Sequence, residues 1–239
     1  MRIFGAYIQL NFLLYLYLVY PVMFIPKYHE ENNLEVLHNL ITAHPLGTWA
    51  VCQDNRITAH HLPFMLYPSR GTYGSLITHV SKANSVWQLT HDTIDSSLII
   101  FQGANAYITP SWYASKQEHG KVVPTWNYAV VHVYGKPTVW TDMNWLHQHI
   151  HTVTDAHEAN QPKPWKVDDA PQEYIDQMTQ GIVGIEIPIE RIIGKWKVSQ
   201  NRNEADRQGV IDGLRAKGDP ELIAMADMVE NPGKRLDQT

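Results

Sequence analysis

Between Leu46 and Val80 three strand-like runs follow one another, LGTWAVCQ, TAHHLPFMLY and GSLITHV, joined by the turn-rich linkers QDNR and PSRGTYG. That succession predicts consecutive antiparallel strands. SLIIFQG and ANAYIT read as two more, turning at Gly103, and TWNYAVVHVYGKPTVW as a hairpin turning at Gly135-Lys136-Pro137. GIVGIEIPIERIIGKWKV alternates around Glu186 and Glu190 as one long, bent final strand. Helices are set between these runs. Leu34, Leu37, Leu40 and Ile41 recur at helical spacing over about 32–44, and His44-Pro45 stops that helix. SKANSVWQL reads as a short helical stretch. Asp142, Asn203 and Asp219 are placed to cap later helices, and another is expected over Gln172 to Gln180. With no βαβ alternation, the chain is expected to be mainly β with helices (α+β), an antiparallel barrel with helical decorations. No GxGxxG or GxxxxGK[ST] follows a strand, which argues against Rossmann and P-loop sites.

A length of 239 residues with 44% hydrophobic content supports a sizeable core. The net charge of −5 argues against a broadly basic nucleic-acid surface, although a local patch is compatible with it. Cys52 is the single cysteine, so no intrachain disulfide forms and a reducing cytoplasmic setting is expected. Its apolar surroundings suggest a buried structural thiol. FLLYLYLVYPVMFI, from Phe12, is a fourteen-residue apolar run broken by Pro21. A membrane span needs about 20 such residues. No small-x-small cleavage site follows, so residues 1–22 read as an extension upstream of a start at Met23, with a membrane anchor as the alternative.

Candidate chemistry begins in FQGANAYITPSWYASKQEHGKVVPTWNY, Phe101 to Tyr128. Tyr107, Trp112, Tyr113, Trp126 and Tyr128 stand there among Gln102, Thr109, Ser111, Lys121, Thr125 and Asn127. Rings beside such groups suit a flat, polar-edged ligand with an anionic tail, such as flavin mononucleotide; an aromatic loop packed over a barrel end is the alternative. In LITHVSKANSVW a strand ends at Thr78-His79, and Ser81, Lys82 and Asn84 open the next helical stretch. N–H groups at a helix start with an ammonium and a hydroxyl can hold a phosphate, or merely cap the helix. In HHLPFML, His60 and His61 leave opposite faces of a strand, which disfavours a shared metal. His147 and His151 are one helical turn apart but lack an acidic third ligand, so a polar helix face is preferred over a metal site. The C-terminal helix pair resembles a helix-turn-helix, yet residues 219–230 carry Asp219, Glu221, Asp227 and Glu230 and no cation. Four carboxylates repel phosphates, which makes it a packing or dimerisation element.

The Phe101–Tyr128 segment, GIVGIEIPIERIIGKWKVSQNRNEADRQGVIDGL and the opening MFIPKYHEENN are similar to the PaiB family, the FMN-binding negative transcriptional regulators. The similarity runs from about Met23 to about Leu214. It implies an FMN-binding split β-barrel over 23–202, of the kind used by pyridoxamine-phosphate oxidase and flavin reductases, followed by a C-terminal helical extension over 203–239. It further implies a homodimer, with DNA as a partner by resemblance alone and no membrane partner unless the leading segment is real. The same resemblance places the FMN phosphate on Thr78, Ser81 and Lys82, with His79 and Asn84 nearby, and runs His61, Pro63 and Phe64 along the isoalloxazine. From the late strand it carries over Trp196, Lys197 and Gln200 as pocket or interface residues. Gln102, Thr109, Ser111 and Trp126 complete the expected cofactor set. No catalytic residue or metal ligand is identified. The alternative activity is an FMN-dependent oxidoreductase or flavin reductase using NAD(P)H, in which the cofactor supplies the redox chemistry.

Overall fold

A computed structural model describes residues 23–89 and 96–232; the apolar leader expected over 1–22 lies outside them. The strands are β1 (Glu30–Glu31), β2 (Leu46–Gln53), β3 (Arg56–Pro63), β4 (Met65–Tyr67), β5 (Ser75–Ser81), β6 (Ser96–Ile108), β7 (Thr125–Tyr134), β8 (Thr138–Trp140), β9 (Ile182–Pro188) and β10 (Arg191–Lys197). A large sheet of six strands runs β1-β10-β7-β6-β2-β3, and a small sheet of four runs β4-β5-β9-β8, with every pair antiparallel.

Alternation along the strands decides which side is buried. Trp49, Val51, Ile99, Phe101, Ala129, Val131 and Val133 of the large sheet face Leu76, Val183, Ile185 and Ile187 of the small one, all in one buried cluster. The ladders stay separate while their inner faces share this core, which is the split-barrel arrangement. Helix α1 (Leu34–Ala43), capped by the Asn33 side chain, adds Leu37, Leu40 and Ile41 to the core. The remaining helices are α2 (Ser115–His119), α3 (Met143–Glu158), α4 (Gln172–Gln180), α5 (Glu204–Arg215) and α6 (Pro220–Glu230). Asp142, Asn203 and Asp219 cap α3, α5 and α6 as their positions predict. Val210, Leu214, Met225 and Val229 place the last two helices on the same core. Among the described residues no helix is long and apolar enough to cross a membrane.

Four strand expectations are corrected. TAHHLPFMLY is not one strand: it breaks at Phe64, whose ring is buried and whose N–H bonds Pro45 O at 2.8 Å, and β3 and β4 lie in different sheets. TWNYAVVHVYGKPTVW is not a hairpin, because β7 pairs with β6 and β10 whereas β8 pairs with β9. The chain changes sheet at Gly135, where a Cβ would come within 2.1 Å of the Pro188 carbonyl. The long final strand crosses in the same way and is two strands, β9 and β10. Conversely, Gly103 is no turn; β6 runs through it with a register shift between Gln102 and Asn105. Local pattern marks a segment as extended but does not say whether it continues in one sheet or passes to the other.

Candidate functional site

The outward side of the large sheet carries an unusual load of half-covered apolar groups. Register puts His61, Thr48, Ile100, His132 and Ile193 in one cross-strand row. The next row on that side is Ala59, Ala50, Leu98, Tyr134 and Arg191. Toward the other end of the strands follow Gln102, Val130 and Lys195, then Asn105, Tyr128 and Lys197. Tyr107 and Trp126 close the series edge-to-face at 6.0 Å, 49% and 54% exposed. Leu46 and Ile57 project from the same side at 64% and 76% exposure. Single exposed apolar residues are ordinary, but a contiguous face of them marks a contact or ligand surface. Cys52, expected buried, is only half-buried here.

Polar groups punctuate this face. The Lys195 Nζ, 5.4 Å from the Tyr128 ring centroid, donates to Phe24 O at 2.8 Å, and the Arg191 guanidinium covers Tyr134 at 3.8 Å. His132 has a buried Nδ1 without a partner among the described residues, and burial lowers its pKa, helped by the Arg191 and Lys195 charges. Sequence reasoning overlooked His132, though its alternation with Val130 and Tyr134 was the available signal.

The expected cofactor residues fall into two groups within one chain. His61 and Pro63 are exposed on β3, while Ser81 and Lys82 are exposed where β5 ends. The short helical stretch expected there is a single 3-10 turn, Ser85–Gln88. Asn84 Oδ1 caps this turn by accepting from Val86 N, Ser81 Oγ accepts from Ala83 N ahead of it, and Lys82 is exposed. Thr78 leaves the opposite face of β5 from Ser81, with its Oγ1 buried in the core and without a partner among the described residues. The Phe64 ring packs edge-to-face on Phe101 at 5.8 Å, inside the barrel.

The second group gathers where β7 begins and β10 ends. Lys197 Nζ donates to the Thr125 hydroxyl and, at 2.5 Å, to the Trp126 carbonyl, so the aromatic segment and GKWKVSQNR meet. Thr109 Oγ1 accepts from Ser111 N, and Ser111 Oγ accepts from Lys116 Nζ. Trp196 is inward and 4% exposed, so its indole is core rather than a platform. Gln200 is consumed locally: its Oε1 accepts from Val198 N and meets His29 Nδ1, while its Nε2 donates to Trp196 O. Gln102 stands exposed on the face between the groups.

The histidine helix divides as its faces require. His147 meets Asp176 at 3.2 Å and His151 meets Asp168 at 3.8 Å, and among the described residues no group could hold a metal. His149 instead turns inward onto His79, a contact that spans two distant segments and had no sequence signal.

The family model described as "Putative FMN-binding domain" matches residues 23–191. Protease synthase and sporulation protein PAI 2 of Bacillus subtilis is 31% identical over 213 residues, covering 89% of this chain and 99% of the relative. An uncharacterised protein of Aspergillus fumigatus is 32% identical, covering 90% and 100%. Among solved structures, the FAD and heme binding protein from Mycobacterium smegmatis superposes with TM-score 0.52 at 14% identity, covering 71% of this chain and 73% of that one. The flavocytochrome Anf3 from Azotobacter vinelandii gives 0.51 at 12%, covering 77% and 78%. At such identities these two likenesses establish the fold alone.

Proposed function

The chain belongs to the family of FMN-binding domains whose model its residues 23–191 match, and from that premise we propose a homodimer that seats FMN at its seam. The supporting observation is the outward face of the large sheet, where Leu46, Ile57, Tyr107 and Trp126 remain exposed beside Ile100, Val130 and Ile193. A second copy apposed through this face covers it and brings the Trp126 end of one chain toward the β3–β5 end of the other. The donor set fits the ligand: an exposed ammonium at Lys82 with the Ser81 hydroxyl for the phosphate, and His61, Pro63 and Gln102 beside an apolar floor for the ring. When bound, FMN supplies electron or hydride transfer. The protein's own residues bind the tail, orient the ring and exclude water.

In function, this dimer is proposed as a negative transcriptional regulator in which flavin occupancy or redox state alters the dimer surface. The resemblance to PaiB regulators and the relation to PAI 2 support that reading. An FMN-dependent oxidoreductase is the second reading, favoured by the cavity that Lys197 and Arg202 line with Thr125 and Asn127, which suits an anionic reductant or substrate.

The test is FMN titration of purified protein with sedimentation in parallel. Saturable binding of one FMN per chain to a dimer is expected; a monomer that binds FMN equally well sinks the seam. Anaerobic mixing with NADH or NADPH then separates the functions, since rapid bleaching of the flavin favours the enzyme. Flavin-independent retention of DNA at low salt counts against the flavin-switched regulator.

A further inference from the structure

The junction of β7 and β10 holds a cavity of about 110 Å3 lined by Tyr113, Thr125, Asn127, Lys197, Ser199 and Arg202 among others. At roughly 30 Å3 per water, that is room for a few waters or for one oxyanion group. Two cations border it. Lys197 is anchored by Thr125 and Trp126, and the Arg202 guanidinium lies 4.4 Å over the Tyr113 ring. Among the described residues, neither cation forms an ion pair with a carboxylate. Asp206 is already engaged, its two oxygens accepting from Ser115 N at 2.9 Å and Ser115 Oγ at 2.8 Å.

Two further features describe a built site. Tyr113 is 2% exposed, and its buried hydroxyl finds no acceptor for its proton among the described residues, since the neighbouring Arg202 guanidinium can only donate to it; a buried unpaired donor is costly. Asn127, 1% exposed, donates to Ser199 Oγ at 2.9 Å and so holds the turn whose Ser199 adopts a left-handed φ of 63°. Burial first, and then the neighbouring Lys195 and Arg202 charges, push the Lys197 ammonium below its ordinary pKa, and an anion in the cavity offsets both.

We propose that this cavity is an oxyanion site, taking the carboxylate or phosphate group of a small ligand and separate from the Ser81–Lys82 end of β5. Lys197 and Arg202 supply charge-assisted donors, and Tyr113 supplies the hydroxyl donor. The assignment does not depend on FMN being bound.

Calorimetric titration of the full chain with inorganic phosphate and, separately, with acetate tests it. Saturable binding of at least one probe, one per chain, is expected; phosphate alone indicates a phosphorylated ligand and acetate alone a carboxylate. Arg202→Gln should weaken binding by about tenfold or more, and Tyr113→Phe by several-fold with an unchanged far-UV circular dichroism spectrum. Loss in Lys82→Ala with retention in Arg202→Gln, or no saturable binding of either probe, overturns the proposal. Should Arg202→Gln fail to fold, the wild-type Lys197 ammonium resonance decides: it must shift on saturation, and a stationary resonance rejects the site. A chain that ignores FMN yet binds phosphate this way refutes the seam and leaves this cavity standing.

Discussion

His79 Nδ1 and His149 Nε2 lie 3.1 Å apart beneath the small sheet, their rings meeting edge-to-face at 5.2 Å. Trp145 stacks on His149 at 5.3 Å, and Trp140 stacks on Trp145 at 5.4 Å. The His149 Nδ1 is buried without a partner among the described residues. If His149 Nε2–H donates to His79 Nδ1, the orphan is a lone pair; the reverse assignment strands a buried N–H, which is the rarer arrangement in folded proteins. The pair is therefore assigned with both rings neutral and the His79 proton on Nε2. Burial lowers both pKa values, that of His149 to about 4, where the His79 charge adds to the effect.

This pair makes stability depend on pH. The folded His149 pKa of about 4 lies below its ordinary 6.5, so between those values the unfolded chain binds more protons. The stability present above 6.5 is thus lost as pH falls toward 4, with a contribution on the order of 3 kcal/mol. Urea denaturation at pH 7 and pH 4.5 should show this loss, and His149→Phe should flatten it. An unchanged slope in that variant rejects the buried neutral pair.

Gly184 sits against the same stack, and a Cβ there would lie 2.1 Å from a Trp145 ring carbon. Gly184→Ala should displace the indole and destabilise the fold by about 1–3 kcal/mol. Thermal melting checks this, and near-UV circular dichroism should report disturbed Trp140–Trp145 coupling.

Lys82 is exposed and projects from the β5 end proposed to hold the FMN phosphate. Lys82→Ala should weaken FMN binding by about tenfold or more while changing riboflavin binding little, because riboflavin lacks the phosphate. Quenching of flavin fluorescence provides both measurements; equal losses would place the lysine elsewhere than on the phosphate.

Ile100 lies between Thr48 and His132 on the outward face of the large sheet. Ile100→Glu should convert the dimer to a monomer and lower FMN affinity together, since a buried unpaired carboxylate is costly. Sedimentation velocity with FMN titration would separate this from a dimer formed through another surface, in which neither property changes.

Much of the secondary structure was legible because capping and spacing are local. Asp142, Asn203 and Asp219 are short side chains placed before apolar-periodic runs, and each does accept from a backbone N–H. Sheet membership was not legible. Gly135 and Phe64 read as turn and strand residues, yet one marks a crossover against Pro188 and the other a buried break between sheets. Thr78 and Trp196 likewise read as ligand groups, and the pleat turns both into the core. The meeting of Trp126 with Lys197 and of His79 with His149 joins segments about seventy residues apart, beyond any periodicity.

By itself, the order of residues determined that this chain forms antiparallel strands with capped helices and that its motifs match those of FMN-binding relatives. Only the tertiary structure decided which side of each strand meets the core, and therefore which rings and cations remain at the surface. Alternation specifies two faces, but packing against a second sheet selects the buried one, and that contact exists only once distant segments have come together.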